Sequence, residues 1–276
     1  TMKNLRYLLG LVVLSTLTFP AMSAPKPLNV LATLHPLALI AASTVPLEQL
    51  EVLVPAGMTP HDFSLRPSDI DRLQNADIIF WAGPEAEPYL RGFAKRWPDK
   101  HWINLATYRQ EGQSDDPHVW FSTAIALGAQ ADLAALLGHD NTEFAQSVAA
   151  SVQFSEVQLQ GLQQRGFFVF HRAYDHWVSE RGLLQLGAFT LSPEQKPGIR
   201  TLQAMRDQLA NGEVVCVFSE PEYTPALVDS VVGDLPVNRA ELDPLGSHIS
   251  VTKDGYARFL DDMAMRARAC LEPREN

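Results

Sequence analysis

Short apolar runs alternate with amphipathic stretches along most of the chain. Residues 28–32, 52–54, 78–81 and 102–105 read as strands in the first half. Residues 36–44, 68–75 and 85–96 read as the helices between them. A helical region follows: residues 123–137 are rich in Ala and Leu, residues 138–140 break the pattern, and residues 142–164 resume it. In that second helix Phe144, Val148, Val152, Val157 and Leu162 recur at near-helical spacing. The strand–helix rhythm then returns. Strands are predicted over 167–170, 183–188, 214–218 and 237–242, and helices over 199–209 and 254–270. Alternation of this kind predicts an α/β fold with parallel sheets. Two strand-rich halves joined by a long helix predict two α/β domains with that helix as a rigid connector. The expected division is a leader over 1–24, an N-terminal lobe over 25–122, a helical region over 123–165 and a C-terminal lobe over 166–276.

The stretch LEVLVPAGMTPHDFSLRPSDIDRLQNADIIFWAG, residues 50–83, shows how the pattern places chemistry. Pro55 and Gly57 end a short apolar run, and the loop that follows presents His61 beside Asp62. Ser64 and Ser68 are candidate caps for the next helix, with Pro67 in its first turn. His61 thus sits past the carboxyl end of a strand in a βαβ unit, the edge where open α/β sheets collect ligands. His171 directly follows the strand FFVF, and His118 opens an apolar patch behind the acidic loop RQEGQSDDP. Glu220 and Asp243 follow later strands, and His35 ends the first. His248 lies five residues beyond Asp243. If both sheets aim their carboxyl edges at one cleft, these groups converge there. Imidazoles plus one carboxylate make a tetrahedral zinc site, and a set without thiolate suits zinc over softer metals. Ligation needs neutral imidazole, so affinity should fall below about pH 6.5. Taken singly, each of these histidines is more often structural than ligating.

Composition changes the picture little. With 46% hydrophobic and 20% charged residues the chain is ordinary for a globular protein. A net charge of −10 argues against nucleic acid and anionic membrane surfaces as partners. Lys3 and Arg6, an apolar core over 8–19 and the small residues Ala21, Ser23 and Ala24 read as a signal peptide, which predicts export to a Gram-negative periplasm. Cys216 and Cys270 are the two cysteines. In an exported chain such a pair points to one disulfide, with free buried thiols or metal ligation as alternatives.

The segments PHDFSLRPSDIDRLQNADIIFWAGPEAEPYL, DPHVWFS, FVFHRAYDHWVSERGL, VCVFSEPEY and ELDPLGS occur in this order. Together they closely resemble the zinc-binding protein of bacterial ABC-type zinc uptake systems, within the cluster A-I metal-binding solute receptors. The likeness covers roughly residues 28–272. It implies two α/β domains joined by a long helix, with one Zn²⁺ held in the cleft between them as transported cargo. It implies His61, His118 and His171 as ligands, Asp243 or water in the fourth place, and a Cys216–Cys270 disulfide. Glu220, His248 and His35 are then candidates to line the cleft. The expected protein is a monomeric receptor and not an enzyme, handing its ion to a membrane permease. A manganese or iron receptor of the same fold is the nearest alternative. A zinc hydrolase is a remoter one, since the chain has no HExxH helix. Two departures stand out. Pro60 occupies the place where some zinc receptors have a ligating Glu, and the loop over 110–116 is short and lacks the histidines common in this family.

Overall fold

The computed structural model describes residues 27–190 and 197–273. The signal-peptide segment and its cleavage site lie outside the described residues.

Two four-stranded parallel sheets form the two lobes. In the first, β1 (Val30–Ala32), β2 (Leu50–Val52), β3 (Ile78–Trp81) and β4 (His101–Asn104) lie in the order β2-β1-β3-β4. In the second, β5 (Gly166–His171), β6 (Gln185–Thr190), β7 (Val214–Ser219) and β8 (Asn238–Glu241) lie in the order β6-β5-β7-β8. The two orders are the same pattern repeated. Each reverses winding direction between its first and third strands, so each has a switch point at the carboxyl ends of that pair. β1, β3 and β5 are buried at every residue. This is why their sequences read as unbroken apolar runs: parallel sheets are covered on both faces.

The helices α1 (His35–Ala41), α2 (Pro67–Asn75), α3 (Arg91–Arg96) and α4 (Thr123–Leu136) belong to the first half. α2 is capped differently from expectation. Asp69 reaches back to accept from the Arg66 N–H at 2.9 Å, and Pro67 holds the first turn, so neither Ser64 nor Ser68 is the cap. α5 (Thr142–Leu159) ends before the expected residue 164, because Gly161 takes a positive φ of 80° and turns the chain. Helices α6 (Asp175–Arg181), α7 (Ile199–Ala210), α8 (Ala226–Val232) and α9 (Gly255–Leu271) complete the second half. Among the described residues no helix is long and apolar enough to cross a membrane.

One hydrophobic cluster runs beneath both lobes, from Leu31 and Phe80 through Trp120, Phe121 and Tyr256 to Phe167 and Phe218. α5 packs along α9 across the back of the molecule. Polar ties between the halves lie on top of this core. The Trp120 indole N–H donates to the Pro244 carbonyl at 2.8 Å, and the Tyr256 hydroxyl donates to the Trp120 carbonyl at 2.8 Å. Glu180, on α6, accepts from the Ser122 and Thr123 hydroxyls and the Thr123 N–H, and so caps α4 from the other half of the chain. A disulfide joins Cys216 on β7 to Cys270 on α9, with Cα atoms 5.6 Å apart.

At the switch point of the first sheet, the fully buried Glu87 carboxylate accepts from Thr33 and from the Ala82 N–H, both at 2.8 Å, and from the Tyr89 hydroxyl at 3.0 Å. Burial pushes this carboxyl up to about 7, and the three donors restrain the rise. In the unfolded chain it titrates at the ordinary 4.5. The folded state therefore holds the extra proton between these values, and the contribution to stability is lost as pH rises through 7. Glu87→Gln should flatten the dependence of Tm on pH between about 4.5 and 7 relative to the parent, as checked by calorimetry across that range.

Candidate metal centre

His171 is the last residue of β5, and Glu220 follows the neighbouring strand β7. The pair therefore stands at the switch point of the second sheet. His171 donates through Nδ1–H to both Glu220 oxygens, at 2.8 and 2.6 Å. The Tyr174 hydroxyl also donates to Glu220, at 3.2 Å. His118 enters from the first half, just before the short 3-10 turn Val119–Phe121, and donates through Nδ1–H to Asp116 at 2.6 Å. Burial works against the Asp116 charge, but the His118 ring and the N–H groups of His118 and Asp175 outweigh it and hold the carboxyl below its usual range. The Asp175 N–H is the start of α6, so Asp116 also binds the loop over 109–117 to the second lobe. His176 bonds the Asp116 carbonyl through Nε2 at 2.9 Å, which makes it a tether within the same loop contact.

A carboxylate only accepts, so each of these Nδ1 atoms carries the proton and each Nε2 presents a lone pair. The two Nε2 atoms face each other at 3.2 Å. Two lone pairs at that separation repel unless a positive charge lies between them. Nitrogens bound to one tetrahedral zinc at about 2.0–2.1 Å stand about 3.3–3.4 Å apart, so the observed spacing is that of two ligands of one ion. His61 completes the group from the 3-10 turn Pro60–Asp62, whose start is fixed by the Thr59 hydroxyl accepting from the His61 N–H at 3.2 Å. The ring centroids lie 5.9 Å (His61–His118), 5.7 Å (His61–His171) and 5.1 Å (His118–His171) apart. One ligand atom from each of the three lies within 4.8 Å of the others, and among the described residues this is the group of side chains able to hold a metal ion. The cavity they enclose, with Trp120, Glu220, Glu222 and Leu245 in its walls, measures about 10 Å³. That is room for one ion or one water, far below the few hundred Å³ of an organic-ligand site.

The other expected site residues fall elsewhere. Asp243 does not join this group: its oxygens accept from the Leu245 N–H at 2.9 Å, the Ser247 N–H at 2.6 Å and His248 Nδ1 at 3.3 Å. The turn that brings these donors in requires Gly246, at φ 60°, where a Cβ would meet Phe259 at 2.6 Å. His248 lines an open neighbouring cleft with Asp243, Glu222 and Arg266, and is clamped by Asp262 at 3.0 Å on its other nitrogen. His35 lines neither space: it is buried in α1 and its Nε2 bonds the Ile249 carbonyl at 2.9 Å, which makes it a packing residue between the halves. Glu220 does line the cavity, as the support for His171. Sequence reasoning missed Asp116 and Glu222. The acid two residues before His118 was the available signal for the first. Glu222 is pushed up to about 8, by burial first and then by the adjacent Asp243 carboxyl.

Weakening the support of one imidazole should weaken the metal. Glu220→Gln keeps an acceptor for Nδ1–H but removes the charge behind it, and zinc affinity should fall by roughly tenfold to a hundredfold, as read by competition with a chromophoric chelator. An unchanged affinity would mean that His171 does not touch the ion.

Residues 30–270 match the family model described as zinc-uptake complex component A, periplasmic. The high-affinity zinc uptake system protein ZnuA of Yersinia pestis is 32% identical over 294 aligned positions, covering 88% of this chain and 91% of that protein. The protein of the same name from Haemophilus ducreyi is 30% identical, covering 88% and 93%. Among solved structures, the fold matches the laminin-binding protein of Streptococcus agalactiae, described as an adhesin with metal-transporting activity, at TM-score 0.77 and 19% identity, over 90% of this chain and all of that one. It also matches a ZnuA crystal structure at TM-score 0.72 and 20% identity, again over 90% of this chain and all of that one.

Proposed function

The chain belongs to the zinc-uptake complex component A periplasmic family, and from that membership we propose that it is the periplasmic receptor of an ABC-type zinc importer. It captures one Zn²⁺ and delivers it to a membrane permease. His61, His118 and His171 are the ligands, and the ion is cargo with no bond made or broken on it.

The observation that carries this reading is the pair of Nε2 lone pairs 3.2 Å apart, each fixed by a buried carboxylate on the far side of its ring. Only a cation resolves that arrangement. Two carboxylates behind the imidazoles, Asp116 and Glu220, balance the charge of a divalent ion in a space closed to water. The three-nitrogen donor set favours zinc over manganese, which suits carboxylate and carbonyl oxygens.

The test is a calorimetric titration of chelator-stripped protein with zinc and with manganese at matched concentrations. The expected result is one zinc per chain with manganese unable to displace it at equal concentration. Tighter manganese binding would favour the manganese or iron receptor, and absence of saturable binding would remove the receptor reading. The hydrolase alternative predicts turnover of ester or peptide substrates that a chelator abolishes, and the receptor reading predicts none.

A further inference from the structure

We infer that Glu222 is the fourth ligand, closing the three-histidine cavity on the side of the open cleft; this rests on the zinc-receptor reading above. Glu222 lies in the loop after β7, two residues beyond Glu220 and next to Tyr223. Its side chain lines the small cavity together with His61, His118 and His171. It also lines the open cleft bounded by Gly57, Asp243, Ser247 and His248. It is thus the carboxylate that stands between bulk solvent and the imidazoles.

Both Glu222 oxygens are cut off from solvent, and no hydrogen-bond donor reaches either of them. A carboxylate buried in that state is costly, and native proteins seldom leave one without a donor or a cation. The neighbouring acids are already committed. Glu220 accepts from His171 and Tyr174, Asp116 accepts from His118 and Asp175, and Asp243 accepts from Leu245, Ser247 and His248. Of the two carboxylates in the cavity wall, Glu222 is the one with its lone pairs unspent. The imidazoles supply three neutral nitrogens, and a tetrahedral ion needs one donor more. A glutamate side chain on a loop, free of hydrogen bonds, can turn from the wall onto the ion without breaking anything. This also explains how the chain manages with Pro60, which has no ligating side chain, beside its first histidine.

The experiment compares Glu222→Gln, Asp243→Asn and His171→Ala with the parent, each stripped of metal. Zinc affinity is measured by chelator competition, the ligand set by the visible absorption of the Co²⁺ forms, and the metal-free fold by thermal melting in chelator. Glu222→Gln is expected to weaken zinc by about tenfold or more and to move the cobalt bands, with a metal-free Tm equal to or above the parent's. Asp243→Asn is expected to leave the cobalt bands in place. Parent-like affinity and spectrum for Glu222→Gln would overturn the assignment. So would a loss of zinc accompanied by a lowered metal-free Tm, or a spectral change that follows Asp243→Asn instead. Parent-like affinity in His171→Ala would point elsewhere, to failure of the three-histidine reading itself.

Discussion

Replacing His118 with alanine should lower zinc affinity by about 100- to 1,000-fold while leaving the metal-free fold intact. The magnitude follows from sharing the roughly 10–16 kcal/mol typical of a four-ligand zinc site among its ligands, about 3–4 kcal/mol each. The intact fold follows from the surroundings of the ring. His118 is 6% exposed, but the carboxylate it supports does not depend on it alone: Asp116 keeps the His118 and Asp175 backbone N–H groups. Removing the ring also removes the repulsion between its Nε2 and that of His171. His171→Ala is the instructive contrast. Glu220 is 2% exposed and would lose its strongest donor, so the metal-free protein should be less stable by about 1–3 kcal/mol in addition to losing zinc. Competition titration gives the first quantity and thermal melting in chelator the second. Parent-like zinc binding by the His118 variant would refute the ligand assignment.

Removing the disulfide by Cys216→Ser with Cys270→Ser should lower Tm by on the order of 10 °C. The bridge closes a loop of 54 residues, for which chain entropy gives about 4 kcal/mol as an upper figure. For a protein of this size each kcal/mol moves Tm by about 2–4 °C. The cysteine on β7 pairs in register with Phe167 on β5, the strand that ends in His171. Hydrogen bonding and core packing hold that strand whether or not the bridge is present, since Phe167 and Phe218 pack edge to face in the same cluster. Zinc affinity at 25 °C should therefore change little. A large loss of affinity with little loss of Tm would mean that the bridge shapes the site and does not merely hold the chain together.

Much of the fold was legible because parallel strands buried on both faces leave a plain trace. Ile78–Trp81 was read at its true limits, and β5 differed by one residue at each end. Helix α8 escaped notice because its seven residues follow Pro225 and are too few to show a period. The over-long reading of α5 passed over Gly161, a stop signal present in the sequence. The repeated strand order of the two sheets leaves no trace in the sequence, because topology is set by which strands pair, not by what they contain. The three histidines were found through position at strand ends and through family resemblance. Their partners were harder. Nothing in a linear pattern tells Glu220, which holds a ring, from Asp243, which holds a turn, or from Glu222, which holds nothing. His35 was misplaced for a related reason: a strand end near the ligand edge is a good address, but its ring turned inward to a carbonyl of the other half.

The unbroken apolar cluster under both lobes limits what an encounter at the membrane can sense. Swinging one lobe wide of the other would strip Trp120 and Tyr256 from their neighbours, so the outline of the molecule stays the same whether it travels full or empty. A transporter meeting it must then tell the two by touch, through the texture of the rim around Gly57 and His61, and not by silhouette.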